Sequence, residues 1–363
     1  MAYGAPVADL TLPAAWYVDP SIWERERRAV FGREWLFAGH AATLTEPGDY
    51  LACDIAGWSL VIVVDDEGGL RAHHNVCRHR AGPLVEPGCG HVPSLVCRYH
   101  GWAYGLDGRL RSARDFGAGI DDVALAPVKV AGWRGLVFVN LDLDGDAPPL
   151  VEALGTFADE CAPFPMEELV LVHESEHELQ CNWKAYADNY LEGYHIPLVH
   201  PGLNKEIDAK RYVVDVDERH RWVRHSAPTR NGAVNQGRWL WRWPNLALNL
   251  YPDGMNIERY DPVAPARTRL RYSYSFRDPD DVDANQAVIA ASAQTTAEDV
   301  AICEAVQRNL TSGAYDIGWL SPKHEGGLAS FQRWVREAVE AAPPELQPSR
   351  STVSMPSASQ NRA

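Results

Sequence analysis

Two cysteine–histidine pairs carry the clearest chemical signal in the sequence. Cys77 and His79 form a CxH pair. Cys97 and His100 form a CxxH pair that follows it in a region of short β-like runs. Two thiolates and two imidazoles can bind a tetrahedral zinc ion, or a [2Fe–2S] cluster with both cysteines on one iron and both histidines on the other. The cluster is favoured because each loop supplies one Cys and one His, whereas zinc fingers usually pair like with like.

A second group of possible ligands lies in one predicted helix, over 182–196. Helical spacing places Glu192 and His195 on its polar face. Pro197 must end or bend the helix, because proline lacks a backbone donor, and His200 can then turn back towards His195. Taken alone, two histidines on a polar face fit an ordinary solvated surface as well as a metal site.

A carboxylate in a later helical segment favours the metal site. In the predicted helix over 296–310, Asp299 and three later residues recur at helical spacing and share one face, which should pack inward. A carboxylate placed there is costly unless it is paired or bound to a metal. Asp299 with His195 and His200 would complete a two-His-one-carboxylate set with open positions, as in non-haem Fe(II) oxygenases. The adjacent Glu298 is the alternative carboxylate.

Both motif sets resemble those of the Rieske non-haem iron oxygenases, α subunits of the aromatic-ring-hydroxylating type. The pattern CxHRxxxL…CxYHGWxYxxDGxL matches 77–84 and 97–110, NWK…DNYLEGYHIPLVH is similar to the iron-binding helix, and the resemblance spans about residues 15–341. It implies a Rieske [2Fe–2S] cluster on four residues, which are Cys77, His79, Cys97 and His100. It implies mononuclear Fe(II) on three, which are His195, His200 and Asp299.

The resemblance also implies how electrons arrive. Dioxygen would be the co-substrate at Fe(II), and the cluster would deliver electrons one at a time. The chain has no GxGxxG or GxxxxGK[ST] fingerprint, so NAD(P)H would act only indirectly, through a separate reductase or ferredoxin. A head-to-tail homotrimer would bring His100 of one subunit to Glu192 of its neighbour, where Glu192 bridges the two metal centres. Asp188 is a candidate for orienting His195; the alternative is a solvated charge.

The substrate is less constrained by the sequence. Ring-hydroxylating members usually have Asp at the position of Glu192. A Glu at this position is similar to the branch acting on choline, glycine betaine or carnitine. The Trp-Pro-Asn sequence at 243–245 is also similar to that branch. Three tryptophans alternate along one predicted strand and should share a face; they are Trp239, Trp241 and Trp243. They could hold a quaternary ammonium by cation–π attraction, stack an aromatic substrate, or pack a core or trimer interface.

We therefore expect an oxygenase that hydroxylates or oxidatively demethylates a small quaternary ammonium or N-methyl substrate. An aromatic ring-hydroxylating dioxygenase, or an aromatic O- or N-dealkylase, is the alternative. A Rieske electron-transfer protein without further chemistry and a zinc-bearing binding module are less consistent with the second ligand group.

The elements that must position these groups predict an α+β chain. We expect a β-rich Rieske [2Fe–2S] domain over 36–146, followed by a helix-grip-like α+β catalytic domain with an antiparallel sheet over 147–342. A helical segment, 1–35, should pack on the catalytic domain. The tail 343–363 is rich in Pro, Ser and Gln, which predicts disorder.

Composition limits the remaining classes. The 363 residues carry 34 Lys and Arg against 49 Asp and Glu, for a net charge of −15, which gives a nucleic-acid partner no support. We expect no membrane span, no signal peptide and a cytoplasmic protein with reduced cysteines. Residues 71–114 are the exception, with seven arginines against Glu86 and Asp107. This local excess predicts docking of an acidic electron carrier; alternatively, the arginines brace loops.

Overall fold

The computed structural model describes most of the chain. The described residues are 9–117, 120, 122–143, 145–230 and 237–342. The expected disordered tail, 343–363, lies outside them.

The first part of the chain is built on β-strands. They are β1 (Leu36–His40), β2 (Asp49–Ile55), β3 (Trp58–Val64), β4 (Leu70–His74), β5 (Gly88–His91), β6 (Leu95–Val96), β7 (Ala103–Tyr104), β8 (Leu110–Ser112), β9 (Pro127–Trp133) and β10 (Leu136–Asn140). Seven of them form an antiparallel sheet in the order β1-β10-β9-β4-β3-β2-β5, and β6-β7-β8 form a small second sheet. The run LVIVV in β3 is fully buried, because apolar and β-branched residues suit a strand covered on both faces.

The second part contains a single seven-stranded antiparallel sheet. Its strands are β11 (Val170–Leu179), β12 (Val213–Asp217), β13 (Trp222–Ser226), β14 (Arg238–Arg242), β15 (Leu246–Tyr251), β16 (Gly254–Ala264) and β17 (Arg267–Phe276). They pair in the order β11-β17-β16-β15-β14-β13-β12, so that consecutive strands from β12 to β17 are neighbours. The exception is β11, the first strand of this sheet in the sequence, which pairs with the last strand, β17.

Helices pack around this second sheet. They are α1 (Ala15–Val18), α2 (Pro20–Glu26), α3 (Leu150–Leu154), α4 (Thr156–Cys161), α5 (Trp183–Tyr190), α6 (Ile196–Val199), α7 (Leu203–Glu206), α8 (Val282–Thr311) and α9 (Gly326–Ala341). A π-helical turn, Arg27–Phe31, continues α2. Within the described ranges, none of these helices has the length and hydrophobicity needed to cross a membrane.

A buried ion pair ties the N-terminal helices to the second part. Lys184 Nζ of α5 lies 2.7 Å from Glu26 Oε1 of α2, and both side chains are at most 1% exposed. The indole N–H of Trp183 donates to the other oxygen of Glu26 at 2.9 Å. Glu26 therefore fixes the start of α5, the helix that leads into the expected ligand region.

The predicted helix over 182–196 is wrong in its second half. Helix α5 ends at Tyr190, and a separate short helix, α6, begins at Ile196. Pro197 lies in the first turn of α6, where its missing N–H costs nothing. Gly193 lies between the helices, where an added Cβ would come within 2.4 Å of the Tyr212 ring. Residues 191–195 are therefore not helical, and helical spacing does not describe where their side chains point.

Candidate active site

Three of the expected ligands converge between α6 and α8. His195 precedes α6, His200 follows it, and Asp299 lies within α8. One oxygen or nitrogen atom from each lies within 4.8 Å of the others. Asp299 Oδ1 is 3.0 Å from His200 Nε2 and 3.8 Å from His195 Nε2, and the two Nε2 atoms are 3.1 Å apart. The structure thus brings together a two-His-one-carboxylate set.

The other nitrogen of each imidazole contacts a carboxylate. His195 Nδ1 is hydrogen-bonded to Glu192, and His200 Nδ1 lies 2.8 Å from Glu298 Oε2. An Nδ1–H that donates to a carboxylate leaves a lone pair on Nε2. Two lone pairs and the oxygen of Asp299 then face one another, an arrangement that a cation would satisfy. The donor set therefore fits a metal ion, with Asp299 facing it and Glu298 on the far side of His200.

Electrostatics at His200 agree with this fit. Burial lowers the pKa of His200, but the hydrogen bonds and charges of Asp299 and Glu298 outweigh burial and raise that pKa overall. The negative charge that favours a proton on this imidazole also favours a divalent cation beside it.

Asn189 is a contributor that the sequence analysis missed. Its side-chain amide donates to Asp299 Oδ1 at 2.5 Å from the last turn of α5. This contact fixes the carboxylate of α8 relative to the break after α5. Asn189 lies in the motif stretch DNYLEGYH, but its spacing from the histidines does not indicate that it contacts Asp299.

Asp188 does not orient His195 as expected. In the described residues, its carboxylate accepts hydrogen bonds from the Tyr17 hydroxyl at 2.5 Å and from Gln332 Nε2 at 3.1 Å, while Glu192 contacts His195. Asp188 is not a solvated helix charge either, since it is only partly exposed and both of its oxygens accept hydrogen bonds; burial raises its pKa to about 7. The shortened helix explains the difference, because Asp188 lies on α5 whereas His195 lies beyond its end.

A cavity of about 130 Å³, open to solvent, adjoins the three ligands. One wall comes from the second sheet, where His225, Trp239, Asn249 and Asn256 lie opposite one another on four neighbouring strands. Directly paired residues project to the same face, and all four line the cavity. Glu258, two residues further along β16, lines it as well.

Only one of the three alternating tryptophans reaches this cavity. Trp239 lines it, whereas Trp241 and Trp243 are buried in the core. Trp241 packs against Phe331 and Trp334 of α9 with ring centroids 5.5 and 6.3 Å apart. Helix α9 covers this part of the sheet face, so the core-packing alternative holds for Trp241 and Trp243, and Trp239 alone of the three lines the cavity.

The CxH and CxxH motifs form two loops with matching backbone bonds. The N–H of Cys77 donates to the Gly82 carbonyl at 2.8 Å, and the N–H of Cys97 donates to the Trp102 carbonyl at 2.9 Å. In each loop the fourth residue after the cysteine donates back to the cysteine carbonyl. Both cysteines are buried. Equivalent loops facing each other suit a group held from its two ends.

The histidines of these loops are also close together. The ring centroids of His79 and His100 are 4.7 Å apart, and His79 stacks on Trp102. His79 Nδ1 is buried without a hydrogen-bond partner in the described structure. Such an atom is costly to bury unless it binds a ligand, so the loops fit a [2Fe–2S] cluster. Tyr104 lies beside this site, with its hydroxyl 3.3 Å from Cys77 Sγ.

The arginine-rich stretch is partly neutralised. Arg71 pairs with Asp65 at 2.7 Å, and Arg111 pairs with Asp107 at 2.8 Å. Arg80 lies over the Tyr99 ring, with its guanidinium carbon 4.6 Å from the centroid. Arg71 and Arg111 therefore brace turns between neighbouring strands, and Arg80 braces a loop of the Cys-His site, all from exposed positions.

Comparison with known proteins finds family models for both parts of the chain. Residues 34–126 match the family model of the Rieske [2Fe-2S] domain, and residues 166–341 match that of the ring hydroxylating alpha subunit (catalytic domain). The chain belongs to the Rieske non-haem iron oxygenases, as an α subunit. This confirms the family, the α+β fold class with its Rieske and catalytic parts, and the expectation of an oxygenase enzyme. Aromatic ring hydroxylation describes only the broader family.

Similar proteins include enzymes named for quaternary ammonium compounds. Chloroplastic choline monooxygenase of Spinacia oleracea is 30% identical over 345 residues, which cover 91% of this chain and 78% of the relative. The glycine betaine monooxygenase oxygenase subunit of Chromohalobacter salexigens is 31% identical over 387 residues, covering 91% and 86%. The crystal structure of the quaternary ammonium Rieske monooxygenase CntA with L-carnitine matches with a TM-score of 0.81 at 28% identity, covering 91% and 96%.

Proposed function

We propose that the chain is the oxygenase component of a monooxygenase that hydroxylates or oxidatively demethylates a small quaternary ammonium or N-methyl compound. The observation that carries this proposal is the cavity beside the three ligands, whose walls combine aromatic rings with carboxylates. Aromatic faces attract quaternary ammonium groups, and buried carboxylates favour positive charge. The names of the similar proteins support the same substrate class.

In this proposal, each metal group has defined holders. The [2Fe–2S] cluster is held by four residues, which are Cys77, His79, Cys97 and His100. Fe(II) is held by His195, His200 and Asp299. When bound, these groups supply one-electron transfer and activation of dioxygen. The overall reaction inserts one oxygen atom into a C–H bond and, with two electrons and two protons, reduces the other to water; an N-methyl carbon leaves as formaldehyde.

The remaining residues act by position. Glu192 and Glu298 hold the two imidazoles in the tautomer that directs Nε2 inward, and Asn189 holds Asp299. These hydrogen bonds keep the donor atoms within reach of one ion. The aromatic cavity walls hold the substrate beside it and limit the access of water.

We further propose a homotrimer in which His100 of one subunit meets Glu192 of the next. Exposed apolar residues beside both positions support such an interface. Tyr194 and Leu198, near Glu192, are 59% and 89% exposed, and Tyr99, beside His100, is 56% exposed. Glu192 would then contact His195 in its own subunit and His100 in its neighbour.

Electrons come from outside the chain, since oxygenase α subunits of this family work with a separate reductase or ferredoxin. We propose that this donor docks beside the cluster loops. The exposed arginines Arg78, Arg80 and Arg98 support this placement, because a local positive field steers an acidic partner within a chain of net charge −15.

The proposed function is tested by single turnover of chemically reduced, iron-loaded enzyme exposed to dioxygen. Product and formaldehyde are measured with quaternary amines, N-methyl aromatics and unsubstituted arenes. We expect substrate-dependent oxidation with one or more quaternary or N-methyl amines and none with arenes. Conversion of arenes to dihydrodiols, without reaction of amines, would contradict the proposal and favour the aromatic alternative.

A further inference from the structure

Glu258 is a buried carboxylate in the cavity wall with neutral hydrogen-bond donors. It is 6% exposed. Tyr186 donates to its Oε2 at 3.0 Å, and the side-chain amide of Asn249 donates to its Oε1 at 3.1 Å. Among the described residues, no Lys, Arg or His lies within ion-pair distance of it. Burial raises the pKa of Glu258 to about 7, although hydrogen bonds from Tyr272, Tyr186 and Asn249 oppose that rise.

Two other buried carboxylates among the described residues have a positive partner, whereas Asp188, like Glu258, has neutral hydrogen-bond donors. Glu26 pairs with Lys184 at 2.7 Å, and Asp261 pairs with Arg259 at 2.9 Å. Burying an ion is costly unless an opposite charge and hydrogen bonds compensate. Glu258 has the hydrogen bonds but lacks the opposite charge, and it faces a cavity that can admit one.

The described residues of the cavity offer a ligand no Lys or Arg side chain. Residues 231–236, NGAVNQ, which connect β13 to β14, include neither residue type. Apart from the two ligand histidines, the described lining has one imidazole, His225. Burial lowers the pKa of His225 to about 3, so this ring is neutral at physiological pH. Apart from the proposed Fe(II), a carboxylate on a ligand would therefore find no counter-charge among the described residues of these walls.

His225 can instead serve an uncharged polar group. It is 1% exposed, and neither ring nitrogen has a hydrogen-bond partner in the described structure. A neutral imidazole has one donor and one acceptor, which match a hydroxyl. The aromatic rings around it include Tyr190 and Tyr212, with centroids 5.4 and 5.8 Å from that of His225.

Building on the proposed function, we propose that the substrate is a cationic amine without a carboxylate, such as a quaternary ammonium alcohol, and that Glu258 meets its positive charge. Choline has this chemistry, whereas glycine betaine and carnitine each carry a carboxylate. Glu258 is thus a specificity residue. The unpaired nitrogens of His225 accommodate the hydroxyl end of such a substrate.

The test compares a charged ligand with its neutral isostere in two forms of the enzyme. Isothermal titration calorimetry on iron-loaded, oxygen-free enzyme measures Kd for choline and for 3,3-dimethylbutan-1-ol, in which carbon replaces the nitrogen. We expect at least about tenfold tighter binding of choline in the wild type, and a ratio near two in Glu258→Gln with the Kd of the neutral alcohol little changed. Glu340→Gln removes one negative charge at an exposed position of α9 and should keep the wild-type ratio of the two Kd values.

An unchanged ratio in Glu258→Gln would overturn the role of Glu258. An unchanged Kd of the neutral alcohol establishes that the cavity of this variant is folded. The wild type tests the substrate class without any variant, because glycine betaine must bind at least tenfold more weakly than choline. Tighter binding and turnover of glycine betaine or carnitine would overturn this inference and leave the proposed function standing. Binding and oxidation of an uncharged arene, with no response to any amine, would overturn both.

Discussion

Glu298→Gln should weaken Fe(II) binding without abolishing it if, as proposed, Asp299 is the ligand and Glu298 orients His200. Glu298 Oε2 contacts His200 Nδ1 at 2.8 Å, on the side away from Asp299. Loss of a carboxylate that orients a ligand imidazole typically reduces metal affinity about 10- to 100-fold, which corresponds to roughly 1.4 to 2.7 kcal/mol. Asp299→Asn removes a donor that faces the ion and should cost more.

The assay is competition between the enzyme and a chelator of known Fe(II) affinity under anaerobic conditions. Iron at the mononuclear site is measured after equilibration, and the visible spectrum of the cluster serves as an internal reference for folded protein. Near-complete loss of this iron in Glu298→Gln, with wild-type affinity in Asp299→Asn, would refute the assignment and make Glu298 the ligand.

Three further perturbations test other parts of the account. The free energy of unfolding of Asp188→Asn, relative to the wild type, should rise as pH increases from 4 to 8. Burial raises the pKa of Asp188 to about 7, so the folded wild type loses stability as this carboxyl ionises, by at most roughly 4 kcal/mol. Urea unfolding that shows a pH-independent difference would contradict this. Lys184→Met should lower the free energy of unfolding by about 3–5 kcal/mol, because it leaves Glu26 buried and unpaired. Adding Glu26→Gln should restore much of this free energy in the same assay. No recovery in the double variant would show that the loss comes from packing. Reduction of the cluster by its donor should slow about tenfold between low and high ionic strength, and a stopped-flow rate independent of salt would leave the arginines with a bracing role alone.

The parts of the site that sequence predicted best are those encoded locally. The CxH and CxxH motifs each lie in one loop, whose backbone bonds join residues four or five positions apart. Such spacing fixes which side chains face one another before any tertiary contact is considered. The pairing of the two loops and the family resemblance followed from the same short stretches.

The end of α5 depended on contacts that spacing does not reveal. Apolar periodicity continues past Tyr190, so the pattern predicted a helix through His195. Gly193 is required by the approach of the Tyr212 ring, a contact with another part of the chain. The expected role of Asp188 failed for the same reason, because its position relative to His195 was derived from a helix that ends sooner.

The cavity walls were predicted least well. Strand alternation correctly implies that Trp239 and Trp241 share a face, but it does not reveal that α9 covers Trp241. Glu258 was missed because a single acidic residue in a strand is usually solvent-exposed. Its burial arises from neighbouring strands and from Tyr186 of α5, which no local pattern predicts.

Metal and sulfide content of the wild type and of His195→Ala tests the central claim most directly, namely that one chain holds a two-iron cluster and a separate mononuclear iron. We expect about three irons and two acid-labile sulfides per wild-type chain, and about two irons with two sulfides and an unchanged cluster spectrum in His195→Ala. Zinc without sulfide in the wild type, or a third iron that persists at wild-type affinity in His195→Ala, would contradict it.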